Sequence, residues 1–192
     1  QCEGNYQLRS NLGSGLTSDT NYSMCGIAGF VGRGSEDDLL RMIRRLQHRG
    51  PDFQGGWWQQ GQSAGAVGLG HARLSIIDLS DYANQPFFNH DQTVGIVFNG
   101  EIYNFQLLRD ELLKLNKYTF RTNSDTEVLL YLYEEYGEDL FDRINGMFAF
   151  VIHDFRRQRT LLARDRMGKK PLYYSTIGDT LIYGSEPKAL LQ

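Results

Sequence analysis

The chain has 192 residues, 41% hydrophobic and 22% charged, with a net charge of -3. This is the balance of a soluble globular protein with one sizeable core or at most two small domains, and it offers no electrostatic reason to bind nucleic acid or an anionic membrane. No apolar run approaches the ~20 residues of a membrane span, and two cysteines, Cys2 and Cys25, rule out a disulfide framework.

Residues 1–23 are polar, rich in Gly, Ser and Asn, and show neither the helix nor the strand period. They lack the apolar centre of a secretion signal. They are expected to be disordered, and to be a pro-segment, sequence translated upstream of a start at Met24, or a remnant of cloning, with the start at Met24 preferred. The other end, Glu186-Pro187-Lys188-Ala189-Leu190-Leu191, reads as a helix that the sequence leaves at Gln192, so the chain is taken as a fragment of something longer.

Met24-Cys25 precedes a glycine-spaced apolar run, Gly26–Val31, that reads as a strand. Cys25 can be a small buried hydrophobe. Alternatively, cutting the bond before it gives one residue both a thiol and an α-amine of ordinary pKa about 7.7–8, a nucleophile with its own base. Ser35 followed by Glu36-Asp37-Asp38 is a helix start with a capping box, and Leu39, Met42, Ile43 and Leu46 continue an amphipathic helix over about 36–48. His48-Arg49-Gly50-Pro51-Asp52 stops it.

Gly56-Trp57-Trp58 and Ala66–Leu69 read as short strands, and Gly70–Ile77 as a third. In that third strand His71, Arg73 and Ser75 share one face, and Ala72, Leu74 and Ile76 the other. Taken alone, Arg73 is best read as a surface residue, the alternative being a bidentate carboxylate clamp in a cleft. Val94–Phe98 is a buried-type strand that runs into Asn99-Gly100. That pair usually makes a hairpin turn, yet Glu101-Ile102-Tyr103 is too short for a returning strand. An Asn amide and a Gly N–H at a strand end are instead candidate oxyanion donors.

Asn104 reads as the N-cap of a helix bearing Phe105, Leu108, Leu112 and Leu115. Ser124-Asp125-Thr126-Glu127 reads as a capping box opening a helix to about Tyr136 that Gly137 closes. Asp125 suits the helix dipole there and can equally hold an ammonium group in a cleft. From Met147 on, Met147–His153, Thr160–Ala163, Leu172–Ser175 and Leu181–Gly184 read as a hairpin series. The fold class is α+β, with antiparallel strands and three helices in the first two thirds.

The four His residues are scattered, so no metal site is expected. There is no dinucleotide or phosphate-binding glycine loop and no Gly-x-Ser-x-Gly elbow, which leaves Cys25 as the credible nucleophile. A free thiol fits a reducing, cytoplasmic setting.

Met24–Phe30, His48–Asp52, Gly70–Ile76, Phe98–Asn104 and Ser124–Glu127 together resemble the class II glutamine amidotransferases. More narrowly, they resemble the amino-terminal glutaminase domain of glutamine-hydrolysing asparagine synthetase. Asp165–Tyr174 and Ser185–Leu191 are similar to that family's run into its synthetase domain. The match covers 24–192. It implies an N-terminal-nucleophile hydrolase fold, a four-layer αββα sandwich of two antiparallel sheets between helical layers. Residues 1–24 would be a leader that is removed or not native, and 25–192 the glutaminase domain, cut before the synthetase domain.

The resemblance further implies that Cys25 attacks the glutamine side-chain amide and that Asn99 and Gly100 hold the oxyanion. Arg73, with Leu74 and Ile76 alongside, would take the substrate α-carboxylate, and Asp125, with Glu101 nearby, its α-ammonium. No cofactor is expected in this domain, ATP and magnesium belonging to the synthetase domain that would amidate aspartate with the ammonia. The partners implied are glutamine and that synthetase domain of the same chain, with room for a homodimer and with neither nucleic acid nor membrane. Two other outcomes stay open: a glutaminase serving a sugar or peptide acceptor, and a blocked, inactive glutamine-binding domain.

Overall fold

A computed structural model describes residues 24–61, 65–74 and 84–191, and the backbone of 5–8. In chain order its elements are β1 (Asn5–Leu8), β2 (Gly26–Gly32), α1 (Glu36–Arg44), β3 (Phe53–Gln60), β4 (Ala66–Arg73), β5 (Phe87–Phe88) and β6 (Val94–Ile102). They continue with α2 (Phe105–Lys114), α3 (Asp125–Tyr136), a 3-10 turn (Gly137–Asp142), β7 (Gly146–Asp154), β8 (Arg159–Arg164), β9 (Tyr173–Ile177), β10 (Thr180–Gly184) and α4 (Pro187–Leu190). One antiparallel sheet has the order β1-β3-β4-β2-β10-β9 and the other β5-β6-β7-β8.

Strand alternation sorts the side chains into three apolar layers. Ala28 and Phe30 of β2 and Ala66 and Ala72 of β4 pack with Leu39, Met42, Ile43 and Leu46 of α1 and the turn behind it, and with Ala189 of α4. Ile96, Phe98, Phe148, Phe150 and Ile152 pack with Leu108 and Leu112 of α2 and with Val128–Tyr133 of α3. Between the sheets lie Ile27, Val67, Leu69, Val97, Ala149, Val151 and Tyr183. Helix, sheet, sheet, helix is the αββα order that the resemblance implies.

The helix α1 begins as its sequence dictates. Ser35 Oγ accepts from Asp38 N, and Asp38 Oδ2 accepts from Ser35 N at 2.8 Å. It ends at Arg44 rather than near 48, and turns carry the chain on to Arg49. It lies close on β4: a Cβ on Gly70 would stand 2.6 Å from Ile43 Cγ1.

Several other expectations change. Ala66–Arg73 is one strand, and every residue of it is buried, because α1 covers one face and the second sheet the other. Ser75 and Ile76 lie outside the described residues. Asn104 caps nothing with its side chain. It bridges instead to the next loop, donating to Arg143 O at 2.8 Å and accepting from Asn145 N at 2.9 Å. At α3, Ser124 Oγ accepts from Thr126 N, and Glu127 turns away from the cap, so no capping box forms. The four C-terminal strands make two hairpins in different sheets, β7–β8 and β10–β9. The leader's composition predicts no regular structure, yet Asn5–Leu8 pair with Gln54–Trp57 of β3. Backbone hydrogen bonds along a sheet edge need no apolar pattern, which is why composition does not announce such a strand.

Candidate active site

The interlayer faces place the site. Ile27 of β2, Val67 and Leu69 of β4, Val97 of β6 and Ala149 of β7 all point between the sheets. By the two-residue period, so do Cys25, His71, Arg73, Asn99 and Met147 at one end of the sandwich. A cavity of ≈ 160 Å³ opens there, lined by Cys25, Arg73, Leu74, Gly100, Glu101 and Asp125 among others. It is smaller than the ~300–1,000 Å³ of a drug-sized ligand pocket, which suits one small metabolite. Three larger clefts, ≈ 540, ≈ 640 and ≈ 570 Å³, contain no cysteine.

Cys25 is a free thiol. It donates to Leu74 O at 3.4 Å, and Leu74 N–H donates to Sγ at 3.3 Å. Burial pushes the thiol above its ordinary pKa, against the Leu74 backbone, Arg73 and Lys170, which pull it down. The thiol is therefore protonated at neutral pH and needs a base. Its main chain is held from two sides. Arg49 Nε donates to Cys25 O at 3.2 Å, and Glu186 holds Arg49 with a 3.0 Å contact. Ser185 clamps Ile27, its N–H donating to Ile27 O at 2.8 Å and its Oγ accepting from Ile27 N at 3.0 Å. The Ser185-Glu186 turn ahead of α4 thus fixes β2.

The edge of β6 beyond β5 is not covered by a neighbouring strand, since β5 pairs only with Gly95 and Ile96. Along that edge every second N–H points away from β7. Phe98 N–H donates to Gln85 Oε1 at 2.6 Å, and Ile102 N–H donates to Asp125 Oδ2 at 3.0 Å. Gly100 lies midway between them, with its N–H on the same edge, facing the cavity it lines. A side chain is excluded there, because a Cβ would stand 2.2 Å from Met147 O. Next to it Asn99 is buried, and its Nδ2 has no hydrogen-bond partner. A buried amide donor left unmatched costs about 1–3 kcal/mol, and next to a residue that lines a cavity it calls for a functional explanation.

Arg73 is buried, which overturns its reading as a surface residue. Its Nη1 donates to Asn84 Oδ1. Asp125 sits at the first position of α3, and burial pushes its pKa up to about 6 despite the Ile102 N–H. Glu101 is half-buried beside it. The thiol, a cation and an acid of raised pKa therefore line one cavity, with the unmatched amide next in sequence to its Gly100 wall, although they are scattered from residue 25 to residue 125.

The chain matches the family model described as "glutamine amidotransferase domain" over residues 24–192. It belongs to the glutamine amidotransferase domain family. The amidotransferase domain is 41% identical over 173 residues to asparagine synthetase [glutamine-hydrolyzing] 2 of Arabidopsis thaliana, covering 87% of this chain and 28% of that protein. It is also 41% identical over 175 residues to asparagine synthetase [glutamine-hydrolyzing] 1 of Bacillus subtilis, covering 88% and 27%. Among solved structures, the glutamine phosphoribosylpyrophosphate amidotransferase of B. subtilis superposes with a TM-score of 0.67 at 23% identity, over 86% of this chain and 42% of that one. That likeness fixes the N-terminal-nucleophile fold. The chain spans a little over a quarter of the length of the curated relatives it matches.

The residues expected at the site, Cys25, Arg73, Leu74, Gly100, Glu101 and Asp125, line the cavity, with Asn99 behind Gly100. Ile76 lies outside the described residues. Further lining residues were not anticipated, among them Gln85, His71 and Lys170. Gln85 ties the β6 edge to α3, its Nε2 donating to Thr126 Oγ1 at 3.3 Å. His71 is fully buried, and burial lowers its pKa to about 3, so it is neutral. Lys170 reaches in from the β8–β9 connection. A Lys inside Gly-Lys-Lys-Pro reads as an ordinary turn cation, and nothing in the local pattern marks it as buried.

Proposed function

We propose that the domain hydrolyses glutamine through Cys25 as the first residue of a processed chain. The freed α-amine takes the thiol proton, and the thiolate attacks the side-chain amide carbon. The tetrahedral oxyanion is held by Asn99 Nδ2 and the Gly100 N–H. When the intermediate collapses, the α-ammonium returns a proton to the departing ammonia. Water, activated by the same amine, then hydrolyses the thioester to glutamate. Arg73, with Leu74 and Ile76 alongside, holds the substrate α-carboxylate, and Asp125 with Glu101 its α-ammonium. Selecting free glutamine in this way excludes a glutaminyl side chain within a protein, which lacks both poles.

The observation that carries this reading is the unmatched, buried Asn99 amide next to Gly100, which lines the cavity that holds the thiol. Two preorganised donors at such a position are worth far more to a developing oxyanion than to a neutral carbonyl.

The ammonia acceptor is proposed to be aspartate, activated with ATP and magnesium in a further domain of the same, cytoplasmic protein. The relatives' names and greater length support it. Among the described residues no group of three His, Cys, Asp or Glu is placed to hold a metal. Among them, too, no helix is long and apolar enough to cross a membrane.

The test is glutamate release from glutamine by a chain beginning at Cys25, by the chain still carrying residues ahead of it, and by Cys25→Ala. Only the first should turn over. Turnover by either of the others would remove the α-amine or the thiol from the mechanism. In the full-length protein, asparagine should form from aspartate and ATP; amidation of a sugar or peptide instead would replace the acceptor and leave the glutaminase standing.

A further inference from the structure

Lys170 is one of the most buried charged residues of the chain, at 8% exposure, and it stands at the nucleophile. Its Nζ lies 3.1 Å from Sδ of Met24, the residue ahead of Cys25. A thioether is a weak acceptor and neutralises nothing. The turn that presents Lys170 is locked in place. Asp165 accepts from Lys169 N at 2.9 Å, Lys170 N at 3.0 Å and Phe148 N at 3.2 Å, while its own N–H donates to Phe148 O at 2.8 Å. Those bonds outweigh the burial that opposes them and keep the Asp165 carboxylate below its ordinary pKa. The turn is therefore tied to β7 through Asp165, and the ammonium it presents lies against Met24 in the wall of the cavity that holds Cys25.

We propose that Lys170 acts with Arg73 as a cation that sets the protonation of Cys25. With the preceding residue gone, its ammonium faces both the thiol and the new α-amine, favouring thiolate and disfavouring a second ammonium beside it. This rests on the glutaminase reading for its purpose. An α-amine of ordinary pKa about 7.7–8 is mostly protonated at neutral pH and no base at all, whereas a neighbouring buried cation leaves it neutral.

The charges facing these groups come from every surrounding element. They are Arg73 on β4, Arg49 on the turn after α1, Glu101 on β6 and Asp165 in the presenting turn, with Asp125 of α3 across the cavity. His71 beside Arg73 is neutral. Arg49 and Arg73 are fixed by Glu186 and Asn84, whereas among the described residues the Lys170 ammonium makes no ion pair with an acid. Burial lowers the Lys170 pKa and the Cys25 thiolate raises it, so the two groups act on each other.

The experiment follows the rate of Cys25 alkylation by iodoacetamide against pH, in the unprocessed chain and in the chain that begins at Cys25. Lys170→Met should move the midpoint upward by about one pH unit in both forms, and Lys170→Arg should leave it near the wild-type position. In the processed chain the acid limb of kcat/KM for glutamine should move up with it, while KM above that limb stays unchanged. A Lys170→Met midpoint equal to wild type in both forms overturns the proposal.

If the Met variant does not fold, the reciprocal measurement uses the intact lysine. The Lys170 13Cε resonance is titrated in wild type and in Cys25→Ala, where loss of the thiolate should lower its midpoint; an unchanged midpoint overturns the proposal. A chain whose alkylation responds as expected but which releases no glutamate defeats the glutaminase reading and supports this one.

Discussion

Asp125 and Glu127 lie two residues apart in the first turn of α3, both shut away from water at 4% and 0% exposure. They face different regions and are treated differently. Glu127 faces the loop ahead of the helix, where its two oxygens accept from Arg121 N at 2.9 and 3.1 Å, and one accepts from Thr122 N at 2.8 Å and Thr122 Oγ1 at 2.7 Å. Arg121 Nε stands 3.8 Å away. Asp125 faces the cavity and takes one β6 N–H, with weaker support from the N–H groups of its own turn. A buried carboxylate whose lone pairs are filled by the chain folds a loop. One left under-filled beside a cavity is set up for a cation that arrives from outside.

Removing each acid should separate those roles. Glu127→Ala strands three donors and the Arg121 charge, so it is expected to destabilise the domain by about 3–5 kcal/mol, read from urea unfolding. Whatever remains folded should bind glutamine with unchanged KM. A stability loss below about 1 kcal/mol would show that water replaces the carboxylate without cost, and the contrast with Asp125 would collapse.

Asp125→Asn keeps the acceptor for Ile102 N–H and removes only the charge. It is expected to raise the glutamine KM by about 10–100-fold with a smaller change in kcat, because an α-ammonium contact is made alike in ground and transition states. In wild type the same loss should appear as KM rising when the pH falls below about 6, the value to which burial raises this carboxyl. Equal KM values for variant and wild type at neutral pH would return Asp125 to its place as a helix-start acid and nothing more.

The same contrast marks where sequence reading succeeds and where it stops. Cys25, Asn99-Gly100 and Asp125 each stood out as candidates because their residue types and local settings are unusual: a thiol before a strand, an Asn-Gly that makes no hairpin, an acid at a helix start. Their convergence follows from strand alternation once the sheets are known, since odd-numbered positions of β2, β4 and β6 all face the interlayer. Arg73 misleads when taken alone. Polar residues alternating with apolar ones imply a solvent face, and in β4 that face meets a second sheet. The Ser124 capping box misleads because Glu127, free to reach back to the cap, is better satisfied by the loop. Lys170 and Gln85 are beyond sequence altogether, for their burial depends on contacts more than 40 residues away.

The smallest effect expected is also the one most specific to an under-filled acid. A carboxyl whose folded pKa is raised, here from 3.8 to about 6, binds a proton more tightly folded than unfolded. Between those values stability falls as the pH rises, and above about 6 the penalty is constant. Two pKa units are worth at most about 3 kcal/mol, and relaxation of the site brings the expectation to about 1–2 kcal/mol. Asp125→Asn should therefore stabilise the glutamine-free domain at pH 7 by that amount and flatten its stability between pH 4 and 6. Urea unfolding across that range checks both. The residue that weakens binding most when neutralised would then be the one whose charge the empty fold holds least comfortably, because the charge is matched only when the substrate ammonium is in place. Parallel pH profiles for variant and wild type would mean that the Ile102 N–H and the helix turn already satisfy Asp125, leaving no excess of negative charge to recruit an ammonium.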